Sequence, residues 1–209
     1  MAIPLISYAG TPEIPELIGL LEIPSLYDTQ LQDHTLETPL LIRSSPSRES
    51  KSLGSINRPD ALESHEWSYE QPAAAVYGYR LSGQTSWYQV RMKPSGLPGW
   101  VSSIADTVFH PLSALISESL PYLTGAWNGR VYGTAGDQST ATKIKLRGPE
   151  APVAVAGSAM LDNNLWFLIV VLKESPCASA EAPSVLQAGW IPAHSEAGNL
   201  NIWFYSRGC

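Results

Sequence analysis

Four histidines and two cysteines are the side chains of this 209-residue chain best suited to metal or nucleophilic chemistry. His34, His65, His110 and His194 stand far apart, with no His-x₃-His spacing and no cysteine beside them. No metal centre and no cofactor is therefore expected. Cys177 sits in Ser-Pro-Cys-Ala-Ser and Cys209 ends the sequence. A cysteine nucleophile needs a histidine base and an activating setting such as a helix N-terminus, and neither context offers one. The two read instead as a possible disulfide, Cys177 with Cys209, which requires the last segment to fold back beside the Cys177 loop. Glu63, Glu66 and Glu70 crowd one stretch. Paired carboxylates can act as acid and base on a glycosidic bond, although a solvated charged loop is the simpler reading. His194-Ser-Glu196 reads in the same way, as an exposed polar turn. There is no Gly-x-Ser-x-Gly elbow, phosphate loop or Gly-x-Gly-x-x-Gly run, so the expectation is a protein without catalytic machinery.

The aromatic residues offer binding rather than reaction. Trp67 and Tyr69 lie within the charged stretch, where large rings have less reason to be core and could stack on a sugar or grip a peptide. Tyr77 and Tyr79 alternate with Val76 and Gly78, so one strand face presents two tyrosines. Trp127, Trp203 and Tyr205 are the corresponding candidates in the second half. For each of these seven the structural alternative is packing between domains.

These side chains must be held by short elements. Sixteen glycines and seventeen prolines are scattered through the chain, which implies many turns. With 44% hydrophobic and 15% charged residues there is material for a real core. The net charge of −6 repels phosphate backbones, so nucleic acid is not an expected partner. No segment reaches the ~20 apolar residues of a membrane span, and no basic amphipathic stretch suggests a membrane surface. The opening Met1-Ala-Ile-Pro lacks the basic start of a signal peptide. A periplasmic or extracellular protein whose leader has been removed is the reading adopted, with a cytoplasmic one as the alternative.

Along the chain, residues 1–37 read as an arm packing on the first domain. Thr11 as N-cap and Pro12 at the first helical position predict a turn or two of helix, with Ile14, Leu17, Ile18 and Leu21 on one face. Strands are predicted over 39–43, 53–56, 73–80 and 87–92, and from Gly99. Residues 111–125 read as a linker with a short helix between Pro111 and Pro121. Strands resume over 129–133 and 142–147. The apolar run 166–172 predicts a strand buried on both faces, and 189–191 and 202–205 close the chain. The pattern is all-β.

The two β-rich regions repeat. Gly78 and Trp87 in the first half match Gly157 and Trp166 in the second at a constant offset, and Gly99-Trp100-Val101 matches Gly189-Trp190-Ile191. Trp87 and Trp166 are expected to cross a barrel interior, with Gly99 and Gly189 allowing a close turn or bulge. The run Leu41-Ile42-Arg43-Ser-Ser-Pro46-Ser47, then Trp87-Tyr-Gln-Val90, then Gly99-Trp100-Val101 resembles the bacterial SH3-like family over about 38–104. The second half carries Trp166-Phe-Leu-Ile169 and Gly189-Trp190-Ile191, but only Lys145-Leu-Arg147-Gly-Pro149 in place of the early motif. The resemblance implies two small SH3-like β-barrels in tandem, at 38–110 and 126–209. It also implies a non-catalytic binding module of the bacterial envelope that recognises peptide or cell-wall glycan such as peptidoglycan. A scaffold that binds another envelope protein is the alternative, and an enzyme with an unrecognised site is a third.

Overall fold

Short apolar runs punctuated by Gly, Pro and Ser turns fold into strands. The computed structural model describes residues 16–23, 39–104, 107–145, 150–178 and 181–207. The first half holds β1 (Gly19–Glu22), β2 (Leu40–Arg43), β3 (Ser52–Ile56), β4 (Ser64–Ser68), β5 (Gln71–Val76), β6 (Gly78–Ser82), β7 (Thr85–Arg91), β8 (Pro98–Ser102) and β9 (Val108–Pro111). A short helix, α1 (Leu112–Ser117), follows. The second half holds β10 (Pro121–Leu123), β11 (Arg130–Tyr132), β12 (Ala141–Lys143), β13 (Ala151–Leu161), β14 (Asn164–Leu172), β15 (Val185–Pro192) and β16 (Ile202–Phe204). The fold is mostly β, as expected. Among the described residues no helix is long and apolar enough to cross a membrane.

The strands form three open sheets, ordered β4-β5-β1-β9, β3-β2-β8-β7-β6 and β12-β11-β15-β14-β13-β10-β16. None closes on itself among the described residues. The repeat seen in the sequence is present in this topology. β3-β2-β8-β7-β6 and β12-β11-β15-β14-β13 run in the same order, and the registers match. Trp87 opposes Ser102 as Trp166 opposes Pro192, and Val90 opposes Gly99 as Ile169 opposes Gly189. Arg43 opposes Trp100 as Tyr132 opposes Trp190. The first and last strands of each repeat also pair, β1 with β9 and β10 with β16. Each repeat thus runs from its own opening strand to its closing strand, 19–111 and 121–204.

Gly99 and Gly189 serve close approach rather than a turn. A Cβ on Gly99 would collide with Cγ2 of Ile42, and one on Gly189 would lie 2.9 Å from Cβ of Val131. At both places the neighbouring strand, β2 or β11, lies close over the glycine, so any larger residue would push it off.

Two apolar clusters hold the layers together. The smaller joins Leu21, Leu40, Ile42, Ile56, Ala74, Val76, Tyr88, Val90 and Val101 within the first repeat. The larger joins Phe167, Ile169, Val171, Ile191, Ile202 and Phe204 of the second repeat to Leu112, Leu115 and Ile116 of α1. It also takes in Leu20, Ala73 and Ala75. The central strands β5 and β1 of the sheet β4-β5-β1-β9 are therefore buried on both faces, because their alternate residues enter different clusters. The small Ala73-Ala-Ala75 run permits that double packing. Each fully buried Leu, Ile or Phe contributes about 1.5–3 kcal/mol, so the repeats are tied by a shared core and not by α1 alone.

Several expectations change here. Residues 17–21 are not helical: Gly19–Glu22 is a strand hydrogen-bonded on both sides, to β5 and β9. Leu20, off the expected helical face, is fully buried like Leu21, while Ile18, on that face, is 36% exposed. Thr11, Pro12 and Ile14 lie outside the described residues, as does most of the arm. The single strand expected over 73–80 is two, broken at Tyr77, with β5 and β6 in different sheets. Its counterpart β13 is unbroken and shifts register between Val155 and Gly157. Trp87 and Trp166 are buried, but the residues that enter the clusters are their successors Tyr88 and Phe167. β14 is fully buried on one face only, since Leu168 and Val170 are half-buried.

Candidate binding groove

The stretch read as a charged loop is the edge strand β4. It pairs with β5 at Ser64–Ala74, His65–Ala73 and Glu66–Pro72, then shifts register between Glu66 and Ser68. The irregularity falls on Trp67, and such a bulge re-aims a side chain. The Trp67 indole stacks on the His110 imidazole of β9, with centroids 4.4 Å apart and planes at 18°. His110 is held from its edge by Glu22 of β1, with Nε2 2.9 Å from Oε2.

Opposite β4 stands the end of the chain. Trp203 lies 5.3 Å from His65, ring to ring, and Tyr205 stacks on Tyr122 of β10 at 4.4 Å and 29°. Ser206 Oγ donates to Glu66 Oε2 at 2.7 Å, which ties the two walls together. Between them lie two hollows that share Phe204, Tyr205 and Ser206. One, of about 450 Å³, is lined by Trp67, His110, Ala114 and Leu115 of α1, and Glu118, Ser119 and Leu120 after it. The other, of about 400 Å³, is lined by His65, Glu66, Tyr122, Trp203 and Arg207. The two hollows adjoin at Phe204, Tyr205 and Ser206, and the pair, called the groove below, is walled by β4 and β9 from the first repeat and by α1, β10 and β16 from beyond it.

Three of the seven aromatic candidates, Trp67, Trp203 and Tyr205, meet in this groove. Tyr69 stands apart from its lining, 54% exposed, with the Arg207 guanidinium 5.0 Å over its ring. The other three are elsewhere. Tyr77 is covered by Arg91, whose guanidinium lies 3.8 Å over the ring. Burial first, and then its hydrogen bond to Glu63, raise the Tyr77 hydroxyl well above the usual tyrosine range. Tyr79 is exposed on β6, with its hydroxyl 3.3 Å from Ser86 Oγ. Trp127 packs on the larger core and donates from Nε1 to the Arg130 carbonyl at 2.9 Å, a structural role. Tyr77 and Tyr79 do not share a face, because the chain changes sheets between them.

Reading the sequence missed His65, His110 and Tyr122 as groove residues. His65 had a signal, its place two residues before Trp67; His110 and Tyr122 had none. His65 is pushed below the ordinary histidine range by burial, so it is neutral at pH 7. Glu63 and Glu66 face different partners, Arg91 at 3.8 Å and Ser206 respectively.

His194 is not on an exposed turn. Its side chain is 6% exposed, and Nδ1 lies 3.2 Å from Oε2 of Glu16. Burial brings its pKa down to about 4, against a smaller upward pull from the Leu17 backbone. The ring that faces Glu16 is therefore neutral at pH 7. Glu196, its neighbour in sequence, is exposed. Cys177 is disulfide-bonded; Cys209, the chain's other cysteine, lies outside the described residues.

No family model, curated protein or solved structure matches this chain.

Proposed function

We propose that the chain is a non-catalytic binding module of the bacterial envelope, built from two SH3-like barrels in tandem, and that it takes peptide or cell-wall glycan in the groove between β4 and β16. The observation that carries this reading is the convergence of Trp67, Trp203 and Tyr205 on one groove from both repeats. Aromatic rings lining a trough suit extended ligands with apolar faces. The duplicated strand order and register support the tandem-domain part, together with the Arg43, Trp87 and Gly99 motifs. The bonded state of Cys177 supports an oxidising compartment.

Retention on purified peptidoglycan tests the reading. Tyr205→Ala and Trp203→Ala should each weaken retention about tenfold, the loss expected when one stacking ring is removed. Trp67→Ala should do the same, with circular dichroism checking the fold of this variant and of Trp203→Ala because both rings also pack on the core. Tyr79→Ala, remote from the groove lining, should leave binding unchanged. Absence of retention by the unaltered protein sinks the glycan reading. Capture of one stoichiometric protein from envelope extract would favour the scaffold instead.

A further inference from the structure

Resting on the reading of the β4–β16 groove as a binding site, we infer that a disulfide between Cys177 and Cys209 clamps the wall formed by Tyr205, Ser206 and Arg207, so that thiol reduction weakens ligand binding. This sequence has two cysteines. Cys177 is disulfide-bonded and neither cysteine is free, so each is the other's partner. Cys177 belongs to the connection between β14 and β15. That connection is rooted in the second repeat's sheet, where the Lys173 N–H donates to the Ser184 carbonyl at 2.9 Å. Only Gly208 separates Cys209 from Arg207, a groove residue. The bond therefore keeps Arg207 within about 13 Å of Cys177, Cα to Cα, even with the chain between them fully extended.

The wall needs such a tie. β16 ends at Phe204, and past it the Tyr205 N–H donates to the Leu120 carbonyl at 3.1 Å. The side chains that follow are held by the Tyr205–Tyr122 stack, the Ser206 bond to Glu66 and the Arg207 guanidinium over Tyr69. Tyr205, Glu66, Arg207 and Tyr69 are all exposed. Contacts of this kind are individually weak at a wet surface, and a segment with few buried contacts opens locally at small cost. Yet Tyr205 and Ser206 line both hollows. With the bond cut, a ligand must order these side chains itself, which subtracts from its affinity. Cys177 is exposed, so a dithiol reductant reaches the bond. One thiolate of the reductant attacks a cysteine sulfur and expels the other cysteine as a thiolate; its second thiol then resolves the mixed disulfide. Two electrons pass to the protein sulfurs, the reductant's two protons follow them, and the products are two cysteine thiols and a cyclic disulfide.

The test compares the full chain before and after dithiothreitol treatment, with two readouts. Retention on purified peptidoglycan should fall about tenfold on reduction and return on reoxidation. Backbone ¹⁵N relaxation, which needs no ligand, should show Ser206 and Arg207 gaining fast motion while Phe167 and Ile169 of β14 stay rigid. The double variant Cys177→Ser with Cys209→Ser should behave as the reduced protein whether or not dithiothreitol is present, and its far-ultraviolet circular dichroism should match that of the unaltered chain. Unchanged motion at Ser206 and Arg207 overturns the inference. So does loosening of β14 together with them, because the bond would then secure the whole sheet and not the wall. Retention by the double variant that still responds to dithiothreitol overturns it as well. If oxidised and reduced chains are retained equally, the clamp falls and the groove stands as a binding site. If neither is retained, the groove reading falls and the inference with it.

Discussion

Replacing His194 with glutamine should flatten the acid limb of the stability curve. The imidazole is buried against Glu16 and Leu17, and its pKa in the folded chain is about 4 rather than the ordinary 6.5. Between those two values the unfolded ring binds a proton and the folded ring does not. Folding therefore loses stability as pH falls through this window, at about 1.4 kcal/mol per pH unit. Across the whole window the loss attributable to this ring is about 3 kcal/mol. Above pH 6.5 the contribution is constant, because the ring is neutral in both states. Urea unfolding followed by tryptophan fluorescence, at steps between about pH 7 and pH 4, measures it. His65 is lowered by burial as well, and the carboxylates titrate too, but these contributions are common to both proteins and cancel in the difference. Wild type should lose about 3 kcal/mol more than His194→Gln between the two ends. Parallel curves would refute the reasoning. So would a His194 resonance titrating near 6.5 in the folded protein, since that would mean the Glu16 carboxylate compensates for burial.

Gly99→Ala should cost about 1–3 kcal/mol, because the new methyl meets Cγ2 of the buried, β-branched Ile42; denaturant midpoints read this, and an unchanged midpoint would mean that β2 is not seated over β8. Tyr77 should remain protonated as pH rises past 10, the usual tyrosine value. Its neutral form is favoured by folding, so its contribution holds below pH 10 and is lost above it, which ultraviolet difference titration of wild type against Tyr77→Phe would show. Cys177 should resist alkylation until reductant is added, as mass spectrometry of the intact chain can establish. If its partner is Cys209, reduction should remove about 3–4 kcal/mol through the freed loop.

The rhythm of the fold was legible because it is local. Strand lengths follow from alternating apolar residues and the turns that interrupt them, and β2, β3, β7, β8, β11 and β14 lie where those patterns place them. The duplication was legible too, since the Gly78–Trp87 and Gly157–Trp166 pairs keep one frame. Where the reading failed, a remote partner overrode a local preference. Residues 17–21 have helical spacing, yet the backbone of β1 finds hydrogen bonds on both sides from 74–76 and 108–111. Two ladders and two buried faces outweigh the small difference in helix propensity, which amounts to tenths of a kcal/mol per residue. Tyr77 interrupts an apolar strand because β5 and β6 are needed in separate layers.

The groove shows the same division. Composition and spacing determined that this chain is β-rich, duplicated and well supplied with aromatic residues, since those properties belong to neighbours in sequence. They could not determine which aromatic residues meet. Trp67, His110, Tyr122 and Trp203 come from four separate strands, and only the packing of the two repeats across a shared core sets them around one trough. The same packing buries His194 beside Glu16, nearly the whole chain length away. A contact between residues that far apart leaves no periodic trace, because its energy is realised only once the layers have closed.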